Sequence, residues 1–486
     1  MRDRFWLFAL FSVMAARVLA MAKLPLMDTS EPRYAQIART MAESGDWITP
    51  WFSPGVPFWG KPTLSFWAQA LAMQMGGVSE LSVRLPSLLV TLATLWLLYR
   101  LAAQFMDVTV ARLATLMCAS APLMWVDAGA VITDPFLTLG VTLSLVALPM
   151  ARVQPTAFWR YGFFVGLAIG LLAKGPLAVV LIGFPAFVWL VVSRDWRGFW
   201  QQLPWISGLL LTALLSVPWY AAAELKTPGF LHYFIIGEHI LRFIDPGWQG
   251  DLYGNGHQRA HGTIWIYLVV MALPWSLLAV GAGLLCWRRS ASSTVPMASL
   301  LQWYLMAWTV VCGLLFTPAG NILPTYVQPS LPALSLLAAW WLRPVDSAQR
   351  HAWVATVVLL MAIGGGAAAV WGSLHEEKLT TEKSLVQAAH QMPGAPLIYV
   401  NSLPYSAVFY SHETVQRLTT PKVAAWLLQQ SGPVCVAIAH SRLAALNKTV
   451  AAPFEPMHRS KRFALLRLDT QAQRYALAQA LVPTLQ

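Results

Sequence analysis

Asp28, Glu31 and Arg33 stand close together in LMDTSEPRYAQIARTM (26–41), directly after the apolar run FWLFALFSVMAARVLA. Further along come Lys61 in PFWGKPTLSFW, Asp134 in VITDPFLTLG, Lys174 in LLAKGPL, the trio Glu238, His239 and Arg242 in FIIGEHILRFI, and Tyr326 in NILPTYVQPSLPAL. Ionisable groups at the edge of apolar runs are costly, and they usually mark function. Cations there suit a phosphate, because Arg forms a bidentate clamp and Lys a point-charge contact. Acids suit the activation or orientation of a nucleophile attacking the carbon next to that phosphate, whose departure calls for stabilisation of developing negative charge. Each residue also has a plain structural reading. Asp134 followed by Pro135 is a common helix cap, and Lys61 or Lys174 can snorkel. Glu238 and Arg242 can form an i,i+4 pair worth a few tenths of a kcal/mol, while Tyr326 can be an interface aromatic. His239 has no second histidine at metal-ligand spacing.

The elements that must carry these residues follow from composition. Apolar residues make up 57% of the 486 and charged residues 11%, against roughly 45–50% and 25% in soluble domains. That imbalance defines an integral membrane protein. Apolar runs near 5–22, 81–99, 110–126, 134–150, 158–173, 176–192, 203–222, 263–286, 298–316, 322–342 and 352–371 give eleven candidate spans. MRDRFWLFAL has the basic and apolar parts of a signal peptide, but MAKLPLMD offers no small-x-small cleavage site, so the first run reads as an uncleaved helix. With the N-terminus inside, the cytoplasmic connections hold Arg100 and Arg112, Arg152 and Arg160, Arg194 and Arg197, Arg288 and Arg289, and Arg343 and Arg350. Every inside loop then carries a pair, as the positive-inside rule predicts. The net charge of +12 is thus explained by membrane orientation and does not call for a nucleic-acid partner. The four cysteines are no disulfide framework. Cys118, Cys286 and Cys312 lie in apolar runs and Cys435 stands alone, so they read as small buried residues.

On the opposite side the loops 23–80 and 223–262 are long and rich in motifs. EPRYAQIARTMAES and PTLSFWAQALAMQM read as helices lying along the membrane surface, joined through the Pro/Gly-rich segment 53–62. Asp28, Glu31, Arg33, Lys61, Asp134, Lys174, Glu238, His239, Arg242 and Tyr326 all fall on this outer side. Past residue 372, PLIYVN, PVCVAIA and RFALLRL read as buried strands, alternating with the helices TPKVAAWLLQQ, SRLAALNKTV and TQAQRYALAQALV. The expectation is a transmembrane domain over 1–372 with its outer loop at 23–80, and a small soluble α/β domain over 373–486.

DTSEPRYAQIARTM with its SGDW continuation, GKP, TDPF, LAKGPL, GEHILRF and LPTYVQPSLPAL form an ordered set between residues 28 and 334. Taken together, they resemble the ArnT-like branch of the GT-C glycosyltransferases, which is related to protein O-mannosyltransferases. The resemblance implies a polytopic α-helical GT-C fold of about 11–13 spans with a C-terminal α/β domain. It also implies an inverting glycosyltransferase of the bacterial inner membrane, acting on the periplasmic side. The partners it implies are a polyprenyl-phosphate-linked sugar as donor, lipid A or another glycan or protein as acceptor, and membrane lipids. By the same resemblance Asp28 matches the acid of the first outer loop and Asp134 the second acid. Arg33, Lys61 and Tyr326 match contacts to the lipid phosphate, and Tyr34, Lys174, Glu238, His239 and Arg242 match substrate-binding positions. Two departures are visible. The spacing from Asp28 to Arg33 is longer than in the Asp-Glu-x-Arg form, which leaves Glu31 as an alternative first acid. Gly60 precedes Lys61 where the family often has glutamate, so a metal site involving that acid is not implied; no soluble nucleotide is required, and a divalent cation is compatible with the remaining acids. A transporter or flippase for a lipid-linked anion is the alternative, but it would place charges at mid-membrane and often in two related halves.

With eleven spans, a reporter fused after Leu374 is expected on the periplasmic side and one fused after Arg289 in the cytoplasm. Paired alkaline phosphatase and fluorescent-protein fusions measure this, and a cytoplasmic signal from Leu374 would show that a span has been miscounted.

Overall fold

The computed structural model describes residues 2–245, 247–254, 257–289, 296–343, 345, 347–448 and 453–481. The chain divides into two compact units. One comprises residues 1–21 and 38–366, and the other residues 22–37 and 367–486. The second unit therefore takes in a stretch of the first outer loop as well as the C-terminal region.

Among the described residues, six helices are long and apolar enough to cross a membrane: Phe5–Lys23, Glu80–Phe105, Asp134–Val153, Ala157–Lys174, Trp205–Lys226 and Gln349–Leu374; they lie in the first unit, except that the first and last continue into the second. Shorter apolar helices cover Val108–Ser120, Leu177–Ser193 and Leu300–Phe316. Three of the expected spans are not single helices. The run 110–126 divides at Ala121 into Val108–Ser120 and Pro122–Asp127. The run 263–286 breaks into Thr263–Met271 and Trp275–Leu284, bent by 100°. Pro274 lies in that break and has no N–H with which to continue a helix. The run 322–342 starts as a 3₁₀ segment, Pro324–Ser330, before becoming the α-helix Leu331–Trp341. Pro324, Pro329 and Pro332 remove backbone donors in its first turns. Helix Trp205–Lys226 leaves Ile206, Leu210, Leu214 and Val217 exposed along one stripe, a face that a lipid surrounding would cover.

The ends of these helices meet in two sets. Arg152 pairs with Asp195 at 2.7 Å and Arg343 with Asp107 at 3.0 Å, all on connections assigned to one side. Lys174 pairs with Asp134, and Lys226 with Asp46, on connections assigned to the other. The outer helix Leu64–Gly76 buries Phe66, Gln69, Ala70 and Met73. It follows a short antiparallel hairpin, Trp51–Ser53 with Val56–Pro57.

Helices Asp134–Val153 and Ala157–Lys174 pack most closely. A Cβ on Gly166 would lie 2.5 Å from the Gly140 carbonyl oxygen and 2.4 Å from Ser144 Oγ. Ser144 Oγ in turn donates to the Phe163 carbonyl across the interface at 2.7 Å. Small residues at such a crossing let backbones touch, which is how helices associate where no hydrophobic effect operates.

In the second unit, a five-stranded sheet has the order Gln416–Leu418, Leu397–Val400, Val434–Ala439, Phe463–Leu468, His458–Arg459. The first three strands are parallel and the last two pairings antiparallel. Alternation feeds both faces. Ile398, Val436 and Leu466 pack with Val423, Leu427 and Leu477, while Tyr399, Cys435 and Leu465 pack with Leu385, Val386 and Phe463. The three long strands and the helices Thr420–Gln429, His440–Asn447 and Gln471–Leu481 match the sequence expectation. The two short edge strands and helices Lys383–His390 and Tyr405–Tyr410 add to it. Cys118, Cys312 and Cys435 are buried thiols.

Gly166→Val is expected to destabilise the protein by about 1–3 kcal/mol through overpacking. Thermal unfolding in detergent checks this, and an unchanged midpoint would mean that the helices are not held at the distance described.

Candidate active site

A cavity of about 300 Å³ opens in the first unit, and its walls include Lys61, Lys174, Glu238, His239, Arg242 and Tyr326. Asp134 joins this group from behind Lys174. It is the first residue of helix Asp134–Val153, with Pro135 next, and Thr133 precedes it without a side-chain cap bond. Its Oδ1 accepts a hydrogen bond from Lys174 Nζ at 2.6 Å, and both side chains are over nine-tenths buried. Lys174 ends helix Ala157–Lys174. An acid at one helix start and a cation at another helix end each complement the local dipole. Lys174 Nζ also lies 4.9 Å from the centre of the Tyr326 ring.

Gly175 makes the next contact possible. Its φ of +73° turns the chain sharply after Lys174, and a Cβ there would strike the Phe234 ring at 2.6 Å. The π-helix His232–Leu241 thus comes close enough for His239 to bridge two backbone carbonyls. Its Nδ1 lies 2.7 Å from the Phe234 carbonyl and its Nε2 3.0 Å from that of Lys174. Burial lowers the His239 pKa more than these carbonyls and Glu238 raise it, favouring the neutral ring, which has a single N–H to donate. With one N–H the ring donates to one of the two carbonyls, and it packs between the π-helix and the end of the Lys174 helix.

One turn of the same segment carries Glu238 and Arg242. Arg242 Nη1 donates to both Glu238 oxygens, at 2.9 and 3.1 Å, and Nη2 lies 3.3 Å from Asp251. From the outer loop, Lys61 Nζ donates to Glu238 Oε2 at 3.3 Å and to its neighbour's carbonyl, Gly60, at 2.5 Å. Burial alone would raise the Glu238 pKa. Lys61 and Arg242 more than offset that and hold it below the usual glutamate value. For Arg242, burial disfavours the charge, but Glu238 and Asp251 keep its pKa above the ordinary one. The described residues lining the cavity include two lysines, one arginine and one carboxylate, Glu238. The remaining wall includes Leu177, Val180, Phe243, Leu315 and Phe316. Such a chamber accepts an anionic head joined to an apolar tail.

The other motif residues belong to the second unit and are described within it. Both Asp28 oxygens are held there. Oδ1 accepts from Ser406 N at 2.9 Å, Oδ2 accepts from Ser406 Oγ at 2.5 Å, and Arg462 Nη2 also donates to Oδ2. Glu31 Oε2 accepts from Met27 N at 3.3 Å. The Arg33 guanidinium sits over the rings of Tyr34 and Tyr405, at 5.1 and 5.5 Å, and Tyr34 is buried. Asp251, Arg462 and Ser406 are participants that sequence motifs did not single out. Asp251 follows a Gly/Trp-rich loop with no spacing signal, and Arg462 lies 434 positions from Asp28. Among the described residues, no group of three or more His, Cys, Asp or Glu is placed to hold a metal ion.

The family described as dolichyl-phosphate-mannose-protein mannosyltransferase matches residues 6–234. The chain is 29% identical over 362 residues to an undecaprenyl phosphate-α-4-amino-4-deoxy-L-arabinose arabinosyl transferase of Edwardsiella ictaluri, a match covering 71% of this chain and 62% of that protein. It is 32% identical over 331 residues to the corresponding transferase 1 of Pseudomonas fluorescens, covering 65% and 54%. Among solved structures, ArnT from Cupriavidus metallidurans bound to undecaprenyl phosphate superposes with a TM-score of 0.77 at 17% identity, covering 95% of this chain and 97% of that one. The chain has the GT-C fold and resembles these arabinosyl transferases in sequence. It is also a multi-pass membrane protein. It spans 62% and 54% of the length of the two curated relatives it matches.

Asp134→Asn is expected to leave the buried Lys174 charge unpaired and to cost about 3–5 kcal/mol of stability. The double variant Asp134→Leu with Lys174→Met should recover most of that loss. Thermal unfolding of the three proteins measures this, and equal stability of Asp134→Asn and the wild type would show that the pair is not buried as described.

Proposed function

We propose that this ArnT-like protein is an inverting glycosyltransferase of the bacterial inner membrane. In this reading it moves a sugar from an undecaprenyl-phosphate donor to lipid A, or to another glycan or protein acceptor, on the periplasmic side. The observation that carries the reading is the cavity lined by Lys61, Lys174, Arg242 and Glu238 beside an apolar wall, with Asp134 behind Lys174 and Asp251 beside Arg242. The curated relatives' names, which specify an undecaprenyl-phosphate-linked aminoarabinose, support the donor class. The pairing of Arg152 with Asp195 and Arg343 with Asp107 supports the span order behind the orientation.

The donor's phosphate enters between Lys61 and Arg242, taking over hydrogen bonds that Glu238 now accepts, with Tyr326 as a further contact. Its polyprenyl chain follows the wall of Leu177, Val180 and Phe243. An acceptor oxygen then attacks the anomeric carbon from the face opposite the phosphate. The new carbon–oxygen bond forms as the bond to phosphate breaks, and the departing electron pair is stabilised by fixed cations in a cavity of low dielectric. A hydroxyl acceptor passes its proton to a carboxylate. A phosphate acceptor, with a second pKa near about 6, is already largely ionised and needs positioning only. Asp134, braced by Lys174, is the proposed acid of the helical core. Glu31 as the acid of the first outer loop, and Arg33 and Tyr34 as substrate contacts, are assigned on the matched motif. Both oxygens of Asp28 are already held by Ser406 and Arg462.

Lys61→Ala and Arg242→Ala should each lower transfer at limiting donor by about 10- to 100-fold, the worth of a hydrogen bond to a charged group, with less effect at saturating donor. Mass spectrometry of lipid A and surface glycans from cells with and without the protein identifies the product. Wild-type transfer by both variants would remove the phosphate role from this cavity, and unaltered glycans would remove the transferase reading itself.

A further inference from the structure

Residues 22–37 pack as part of the C-terminal unit, and the polar contacts show how. Leu26 N donates to Tyr410 Oη at 2.7 Å, and Asp28 N donates to the Thr380 carbonyl at 2.8 Å. Gln36 Nε2 donates to Glu413 Oε1 at 2.7 Å. Between these ties the Asp28 carboxylate, almost wholly buried, takes bonds from Ser406 and Arg462. Arg462 also holds Glu382, with Nε at 3.2 Å and Nη2 at 2.9 Å from Oε1. Burial pushes the Glu382 carboxyl above its usual pKa, and the negative charge of Asp28 adds to that. A single guanidinium therefore serves two buried carboxylates. Its own place is fixed by the sheet, because it directly precedes strand Phe463–Leu468 and its carbonyl accepts from His440 N at 3.1 Å.

Acids that react with a substrate need a lone pair directed at it. Asp28 directs both oxygens at protein donors. A carboxylate so occupied fixes the chain that bears it, and what it bears here is the turn into Glu31, Arg33 and Tyr34.

We propose that Arg462, with Ser406, is a positioning residue of the C-terminal α/β domain that anchors Asp28 and thereby sets the conformation of residues 26–34. Asp28 is the anchor point and not the reacting acid. The domain is in this way the scaffold of the first-loop motif. Only the effect on sugar transfer rests on the function proposed above; the anchoring itself does not.

The test uses the full-length protein in nanodiscs, with hydrogen exchange and transfer measured on Asp28→Asn, Arg462→Gln and the double variant. Arg462→Gln and Asp28→Asn should each speed amide exchange across residues 26–34 on the order of tenfold or more, while strand Val434–Ala439 keeps its protection as a separately stable element. The double variant should add little to either. In transfer, the two single variants should lose activity to a similar degree, and Asp28→Asn should keep the acid limb of the wild-type rate–pH profile. Unchanged exchange over 26–34 in Arg462→Gln overturns the anchoring. Abolished transfer in Asp28→Asn beside near-normal transfer in Arg462→Gln, or loss of the acid limb, overturns the positioning role and restores Asp28 as a reacting acid. Loss of protection across the whole C-terminal sheet in Arg462→Gln would also overturn the proposal, since it makes the arginine a general stabiliser. A wild type that transfers no sugar fails the transferase reading, while the exchange measurements still decide the anchoring.

Discussion

The Lys174–Asp134 ion pair is the contact on which the cavity's geometry depends. Two opposite charges lie 2.6 Å apart with little solvent, at neighbouring ends of the two most tightly packed helices. Neither charge is tolerable there without the other. The pair holds only because Gly140 and Gly166 let the helix backbones touch, and small residues along a helix interface thereby become a condition for charge placement at its end. From Lys174 the chain reverses at Gly175 and meets His239, which relays position to Glu238 and Arg242.

Glu238 gives the cavity its second property. Without a bound anion, Lys61 and Arg242 would repel one another in a poorly solvated space. With Glu238 between them they are held together at tolerable energy. In the proposed function, a phosphate would meet donors already gathered, leaving little ordering to oppose binding. The π-helix assists, since its wide turn departs from regular α geometry in the segment that carries Glu238 and His239.

Much of this was legible in the sequence, for physical reasons that differ by feature. Apolar runs declare helices because lipid forces every backbone group to pair within its own segment, and all eleven runs are helical over most of their length. The alternation in PVCVAIA and RFALLRL declared the central strands. Pro274 and Pro324 were visible, but whether a proline bends a span or ends it depends on what packs beside it. The ordered motifs led to Lys61, Lys174, Glu238, His239, Arg242 and Tyr326, which the structure gathers around one cavity. Partnerships across long sequence separations carry no period and no spacing, so Asp251 beside Arg242 and Arg462 beside Asp28 came only with the coordinates. The assignment of residues 22–37 to the C-terminal unit was hidden for the same reason.

That assignment bears on how the protein is made. The segment around Asp28 leaves the ribosome well before Arg462, which follows 434 positions later. At about 5–20 residues per second, the early segment waits roughly 20–90 seconds for the strand that will hold it. Throughout that interval the helical core can insert and pack, but the motif has no native surroundings. A product that stops before Arg462, whether from a stalled ribosome or a nonsense mutation, would carry the helices without this partner of Asp28. A stretch synthesised late thus meets one synthesised early.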